Sequence, residues 1–143
     1  MMKSKRLIGS QAGFTLIEMM IIVVIIGVLA GIMIPNILSY FQSQRVVGAR
    51  AELMSDIAYA RSLAIARRTQ FQLVFTGPEY QIIQPGPNTV MRRREAPSGV
   101  TITADANPIF YPHGLADAAN IVVTGAHSNT TVNLLPTGMA THD

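Results

Sequence analysis

The sequence predicts an α+β protein: a long N-terminal α-helix, membrane-spanning in its first half, packed on a small antiparallel β-sandwich or curved sheet. Three observations predict it. Residues 14–34, FTLIEMMIIVVIIGVLAGIMI, carry a single charge, Glu18. Residues 36–68 contain no Pro and one Gly, Gly48, with apolar residues every three or four positions. Beyond residue 70 the pattern changes to short alternating runs punctuated by Gly and Pro.

As a helix, the apolar run would extend roughly 31 Å at about 1.5 Å per residue, matching a hydrocarbon core of about 30 Å. The preceding MMKSKR is basic, which places the N-terminus in the cytoplasm and everything after Ile34 on the far side, in a single pass. A secretory signal peptide also starts with a basic region. Its apolar part is about 7–15 residues and ends at a small-residue cleavage site, whereas PNILSYFQSQ follows the run here. A plain signal anchor fits the length but leaves Glu18 unexplained. A carboxylate within a span costs about 2–3 kcal/mol, so it calls for a partner.

The second half of the helix reads from Val46, Ala49, Leu53, Ile57, Ala60 and Ala64, a stripe with Arg50, Asp56 and Arg67 placed off it. One helix from Phe14 to about Arg68 results. FQLVF, closed by Gly77-Pro78 and resumed by YQII, predicts a hairpin. Further strands are predicted at 99–104, 107–111, 119–124 and 130–135, with turns at Pro85-Gly86-Pro87, Pro97-Ser98-Gly99, His113-Gly114 and Gly125 to Asn129.

Composition narrows the chemistry. The chain has no Cys, which removes disulfides, thiolate metal sites and cysteine nucleophiles. Its net charge of +3 belongs to Lys3, Lys5 and Arg6, because from Phe14 onward eight arginines face eight acids. His113, His127 and His142 are scattered without ligand spacing, so no metal site is expected. No phosphate-binding loop, dinucleotide turn or catalytic constellation is present, and the expectation is a protein without cofactor that is not an enzyme. Arg92-Arg93-Arg94 is the densest charge. It reads as a solvated loop between strands or as a patch for an anionic partner such as DNA, and the loop is preferred because no aromatic residues interleave it. Asn129-Thr130-Thr131 fits a glycosylation acceptor and predicts an exposed loop.

Gly13 followed by Phe14-Thr15-Leu16-Ile17-Glu18, after a basic leader and before an apolar run, resembles the class III signal of type IV prepilins and type II secretion pseudopilins. The resemblance implies cleavage by prepilin peptidase between Gly13 and Phe14, N-methylation of Phe14, and pairing of Glu18 with the Phe14 amine of a neighbouring subunit. Residues 1–13 would then be the leader peptide, 14–35 the transmembrane and filament-core helix, and 36–143 the amphipathic half-helix plus a periplasmic β-rich pilin head. Pro35, twenty-second after the cut, is expected to kink or loosen the helix. Gly27 and Gly31 precede it at a spacing that allows close helix approach.

ARAELMSDIAYARSLAIARRTQ at 49–70, with IFYPHG at 109–114 and TVNLLPTG near the end, is similar to the H-type minor pseudopilins and FimT-like minor pilins. The resemblance implies a structural subunit of a type IV pilus or type II secretion pseudopilus, anchored in the bacterial inner membrane. Its partners would be prepilin peptidase, other pilins or pseudopilins and the inner-membrane assembly machinery. The alternative is a DNA-uptake minor pilin using Arg92 to Arg94. Some FimT-like pilins carry a C-terminal Gly-Arg-x-Arg for DNA, and here Gly138-Met139-Ala140-Thr141 lacks both arginines.

Overall fold

The computed structural model describes residues 13–143. The chain divides into two compact units at residues 37 and 38. Helix α1 (Leu16–Arg67) starts in the first and ends in the second. It covers the predicted range to within two residues at its start and one at its end, and its backbone stays helical across Gly27, Gly31 and Pro35.

In the first unit the helix is apolar on every side. Large side chains from Phe14 to Ile34 are exposed, Phe14 at 68% and Ile22, the least so, at 39%. A helix hydrophobic all round is built for an apolar medium rather than for water. It is long and apolar enough to cross a membrane.

In the second unit α1 buries Val46, Ala49, Leu53, Ile57, Ala60 and Ala64, the predicted stripe. Their spacing of three and four keeps them on one side of a 3.6-residue helix. Eight strands follow: β1 (Phe71–Thr76), β2 (Glu79–Gln84), β3 (Thr89–Glu95), β4 (Val100–Ala104), β5 (Ile109–Phe110), β6 (Ala119–Gly125), β7 (Asn129–Leu134) and β8 (Ala140–His142). They form two four-stranded antiparallel sheets, ordered β3-β2-β1-β5 and β4-β6-β7-β8. Alternate residues point inward, among them Phe71 and Leu73, Tyr80 and Ile82, Val100 and Ile102, Ile121 and Val123, and Val132 and Leu134. These join the helix stripe in one hydrophobic core.

The β1–β2 turn has two residues, with Thr76 paired to Glu79 and Gly77 at φ 60°. A two-residue hairpin that bends with the strand twist needs positive φ at its first position, which Gly tolerates without strain. On the second sheet, Asp105 accepts hydrogen bonds from Asn120 N at 2.9 Å and Asn120 Nδ2 at 2.8 Å. These donors hold its carboxyl below the ordinary Asp range.

Three expectations need correction. Residues 89–95, read as a loop carrying Arg92 to Arg94, form strand β3. The inward positions of that strand are arginines, so its alternation does not register as hydrophobic. Asp56, placed off the buried stripe, is 1% exposed. The segment at Asn129 to Thr131 opens strand β7 rather than lying in a loop, and β8 was not foreseen because three residues are too few to show a period.

Leu53 and Ile57 have no exposed surface to spare, so Leu53→Ala or Ile57→Ala is expected to cost about 2–5 kcal/mol through lost burial and a residual cavity. Urea unfolding of the detergent-solubilised chain checks this. An unchanged midpoint for both would mean that the stripe is not the core.

Candidate functional site

Two groupings carry the residues singled out by the sequence. The first is the start of α1. Gly13, Phe14 and Thr15 precede the helix, and Thr15 caps it: its Oγ1 accepts from Glu18 N at 3.3 Å, while its carbonyl accepts from Glu18 N at 3.1 Å and from Met19 N at 3.2 Å. Thr15 was missed as a functional residue. The signal was present, since Thr-x-x-Glu before an apolar run is the pattern of a capping box. In hydrocarbon the orphan amides of a helix start cannot turn to water, so an internal cap matters more there than at a wet surface.

Glu18 sits in the first turn, where the helix dipole favours negative charge. It is exposed, and no described cation forms an ion pair with it. The surroundings are Phe14, Leu16, Ile17, Met19 and Met20, all exposed and apolar. A lone carboxylate on such a surface is a strong demand for a cation from another molecule.

The second grouping is built around Asp56. Strand β3 pairs with β2 in the register Arg92 to Ile82, Arg93 to Gln81 and Arg94 to Tyr80, with an extra residue, Met91, between Arg92 and Val90. Residues directly opposite share a face, so Arg92 and Arg94 lie on the side of buried Ile82 and Tyr80. There they meet α1. Arg92 Nη1 forms a short ion pair with Asp56 Oδ1, and Arg94 Nε approaches Asp56 Oδ2 at 3.3 Å. Tyr80 Oη donates to Asp56 Oδ2 at 2.9 Å. Arg94 Nη1 also reaches Glu52 Oε1 at 3.0 Å, and the Arg92 guanidinium lies 4.0 Å from the centre of the Tyr59 ring. Arg93 faces away and pairs with Glu79 at 2.8 Å.

Burial, with the Asp56 carboxylate beside it, pushes the Tyr80 phenol far above its usual range. The hydrogen bond to Asp56 likewise raises Arg92. Both groups therefore stay protonated as donors at any physiological pH. The three arginines are matched by Asp56, Glu52 and Glu79, so the triplet presents little free positive charge to a polyanion. Among the described residues, no three His, Asp or Glu side chains form a metal cradle.

The comparisons with known proteins agree with this architecture. A family model described as type II transport protein GspH matches residues 49–138. The chain belongs to the GspH family. A second model, the prokaryotic N-terminal methylation motif, matches residues 8–34 and so spans Gly13, Phe14 and Glu18. The chain is 42% identical over 48 residues to the type II secretion system core protein G of Pseudomonas aeruginosa, a match covering 34% of each. The matched segment spans about a third of that relative's length.

Among solved structures it is similar to the type IV minor pilin FimU of P. aeruginosa in one crystal form, with a TM-score of 0.61 at 13% identity over 73% of this chain and 92% of that one. A second crystal form of FimU gives 0.57 at 14% identity, covering 67% and 90%. At such identity the likeness is one of fold. The chain thus joins the type II transport protein GspH family with the fold of a type IV minor pilin, and the apolar first half of α1 fits anchoring in a membrane.

The ion pairs around Asp56 predict an asymmetric result. The double substitution Arg92→Ala with Arg94→Ala strands a buried carboxylate and is expected to lower stability by about 3–5 kcal/mol. Arg93→Ala removes a pair whose arginine is 64% exposed and is expected to cost less than about 1 kcal/mol. Chemical denaturation of the three proteins decides it, and equal losses would contradict the network.

Proposed function

We propose that the chain is made as a precursor, cut between Gly13 and Phe14 by prepilin peptidase, N-methylated at Phe14, and assembled through the first half of α1 into a type IV pilus or type II secretion pseudopilus. The single observation that carries this is Glu18: a carboxylate with no ion pair among the described residues, in the first turn of a capped helix whose first half is otherwise apolar.

Cleavage before Phe14 creates an α-amine at the edge of the apolar segment. An amine and a carboxylate are each costly in hydrocarbon, and each offsets the other when a neighbouring subunit brings them together. The pairing is directional, so it also fixes the axial register of one helix against the next. Pro35, with Gly27 and Gly31 before it, supplies a stretch of weak helix propensity that can lengthen as the subunit leaves the membrane. Other pilins or pseudopilins and the inner-membrane assembly machinery are the partners, and the β-rich part of the chain faces the periplasm. The internal pairing of Arg92 and Arg94 favours a structural role over capture of DNA.

Gly13→Val is expected to block processing, since a branched side chain before the cut hinders entry to a peptidase site while leaving membrane insertion intact. The intact mass of membrane-purified protein tests it. A wild-type mass that still includes residues 1–13, in a host with active prepilin peptidase, contradicts the cut.

Glu18→Ala separates a filament subunit from a simple anchor. The substitution removes an insertion cost, so an anchor would insert as well or better. A filament subunit would lose incorporation, because the neighbour's amine is left unpaired at a cost of about 3–5 kcal/mol. Crosslinking to the other pilins of the cell at equal membrane abundance is the measurement, and equal incorporation would return the simple anchor to first place.

A further inference from the structure

Within the second unit, a groove of about 400 Å³ lies between α1 and the start of β8, with Met54, Ala58 and Ile65 on the helix side and Met139 and Ala140 on the strand side. Ile65 is 48% exposed and Met139 58%, so an apolar surface stays open here beside the covered stripe. The strand side is held in place, because Gly138 packs against Gly114 O and against Arg61, whose Nε donates to that same oxygen.

The backbone at this groove is unpaired. β8 ends its sheet and is bonded to β7 on one side only. Leu135 N donates to Met139 O and Asp143 N to Thr131 O, so residues 139 and 143 bond toward β7. Antiparallel pairing alternates, which turns the N–H and C=O of Ala140 and His142 away from β7. Ala140 also lines the groove, and its partner across the ladder, Leu134, is buried on the inner face. An open sheet edge and an open apolar surface therefore adjoin.

The charge is unpaired as well. Arg61 borders the groove, and Arg50 lies one turn before Met54 on the same side of α1. No described acid forms an ion pair with either, and no carboxylate lines the groove. Arg50 Nε is buried without a hydrogen-bond partner, a costly state that an incoming acceptor relieves.

We propose that the groove receives an extended segment of a partner protein, which adds to β8 as a fifth strand and carries apolar residues at alternate positions with a carboxylate among them. Main-chain bonds to Ala140 and His142 hold the segment, while its inward side chains meet Met54, Ala58 and Ile65 and its carboxylate meets Arg50 or Arg61. Among the described residues, no edge strand of a second copy fits: β4, β5 and β8 carry no acid, and β3 carries three arginines. This goes beyond the assembly reading, since binding here needs neither cleavage before Phe14 nor Glu18.

The test titrates the full chain, held in nanodiscs, into a fluorescein-labelled nine-residue peptide that alternates Thr and Val with Asp in place of one Val, and reads anisotropy. Saturable binding is expected. Arg50→Gln should weaken it about tenfold, the loss of one charge-assisted hydrogen bond, and Lys in place of the peptide Asp should do at least as much. Ala58→Glu, which puts a carboxylate on the groove wall, should abolish it. Of two peptides N-methylated at alternate amides in opposite phase, one should lose binding and the other keep it, the signature of strand addition. Urea midpoints of both protein variants check that they remain folded, and the peptide changes test the site in the unaltered chain. No saturable binding, or binding indifferent to Ala58→Glu, overturns the site. Binding kept by both methylated peptides overturns strand addition, and equal binding of the Lys peptide overturns the acidic partner. Self-association of the chain that Ala58→Glu abolishes would make a second copy the occupant and overturn the proposal likewise.

Discussion

The second unit depends on one buried carboxylate. Asp56 sits inside the helix-to-sheet contact at 1% exposure, where a lone charge would be prohibitive. Two arginines from β3 and the Tyr80 hydroxyl from β2 surround it. This network fixes how far along α1 the β2–β3 hairpin sits, which an apolar contact would leave loosely specified. Such a device costs desolvation and returns specificity of arrangement. In the assembly proposed here the helix would carry the domain into a filament, and a fixed attachment of strands to helix would be its mechanical requirement.

A similar lock operates at the other end of the domain. Arg61 Nε donates to Gly114 O at 2.9 Å, and Gly138 lies so close that a Cβ there would be 2.6 Å from Gly114 O and 2.9 Å from Arg61 Nε. With φ at +73°, only Gly fits this position without strain. One guanidinium thus ties the loop after β5 to α1, and the turn before β8 packs closely against both. Arg92, Arg94 and Arg61 all serve the interior contacts of the domain. Arg92 and Arg94, held by carboxylates, therefore offer little free positive charge to a partner.

The two parts of α1 obey different solvents. From Val46 onward a narrow apolar stripe, with Asp56 beside it, is covered by strands, and most of the remaining helix surface meets water. Before Ile34 apolar side chains surround the helix, and its one charge is Glu18. Thr15 closes the helix start internally, so the N-terminal amides make fewer demands on their surroundings, and Glu18 remains as the group that asks for a partner. The cap and the carboxylate come from one four-residue motif, which ties the local structure of the helix start to the chemistry proposed for assembly.

The sequence by itself determined the long helix, the buried stripe of Val46 to Ala64 and most of the strands, because each is written as a local period that one side of an interface reads directly. It also determined Gly13, Phe14 and Glu18 as a motif, since a lone charge in an apolar run is conspicuous without any structure. The tertiary structure alone decided the fate of Arg92 to Arg94. One extra residue, Met91, shifts the β2–β3 register; without that bulge Arg93 would lie opposite Tyr80, whereas with it Arg92 and Arg94 turn inward together. A bulge is set by the pairing of two strands and by what waits on the third element, here Asp56 on the helix. A charged strand and a buried acid each look like surface in sequence, and only their juxtaposition makes both interior.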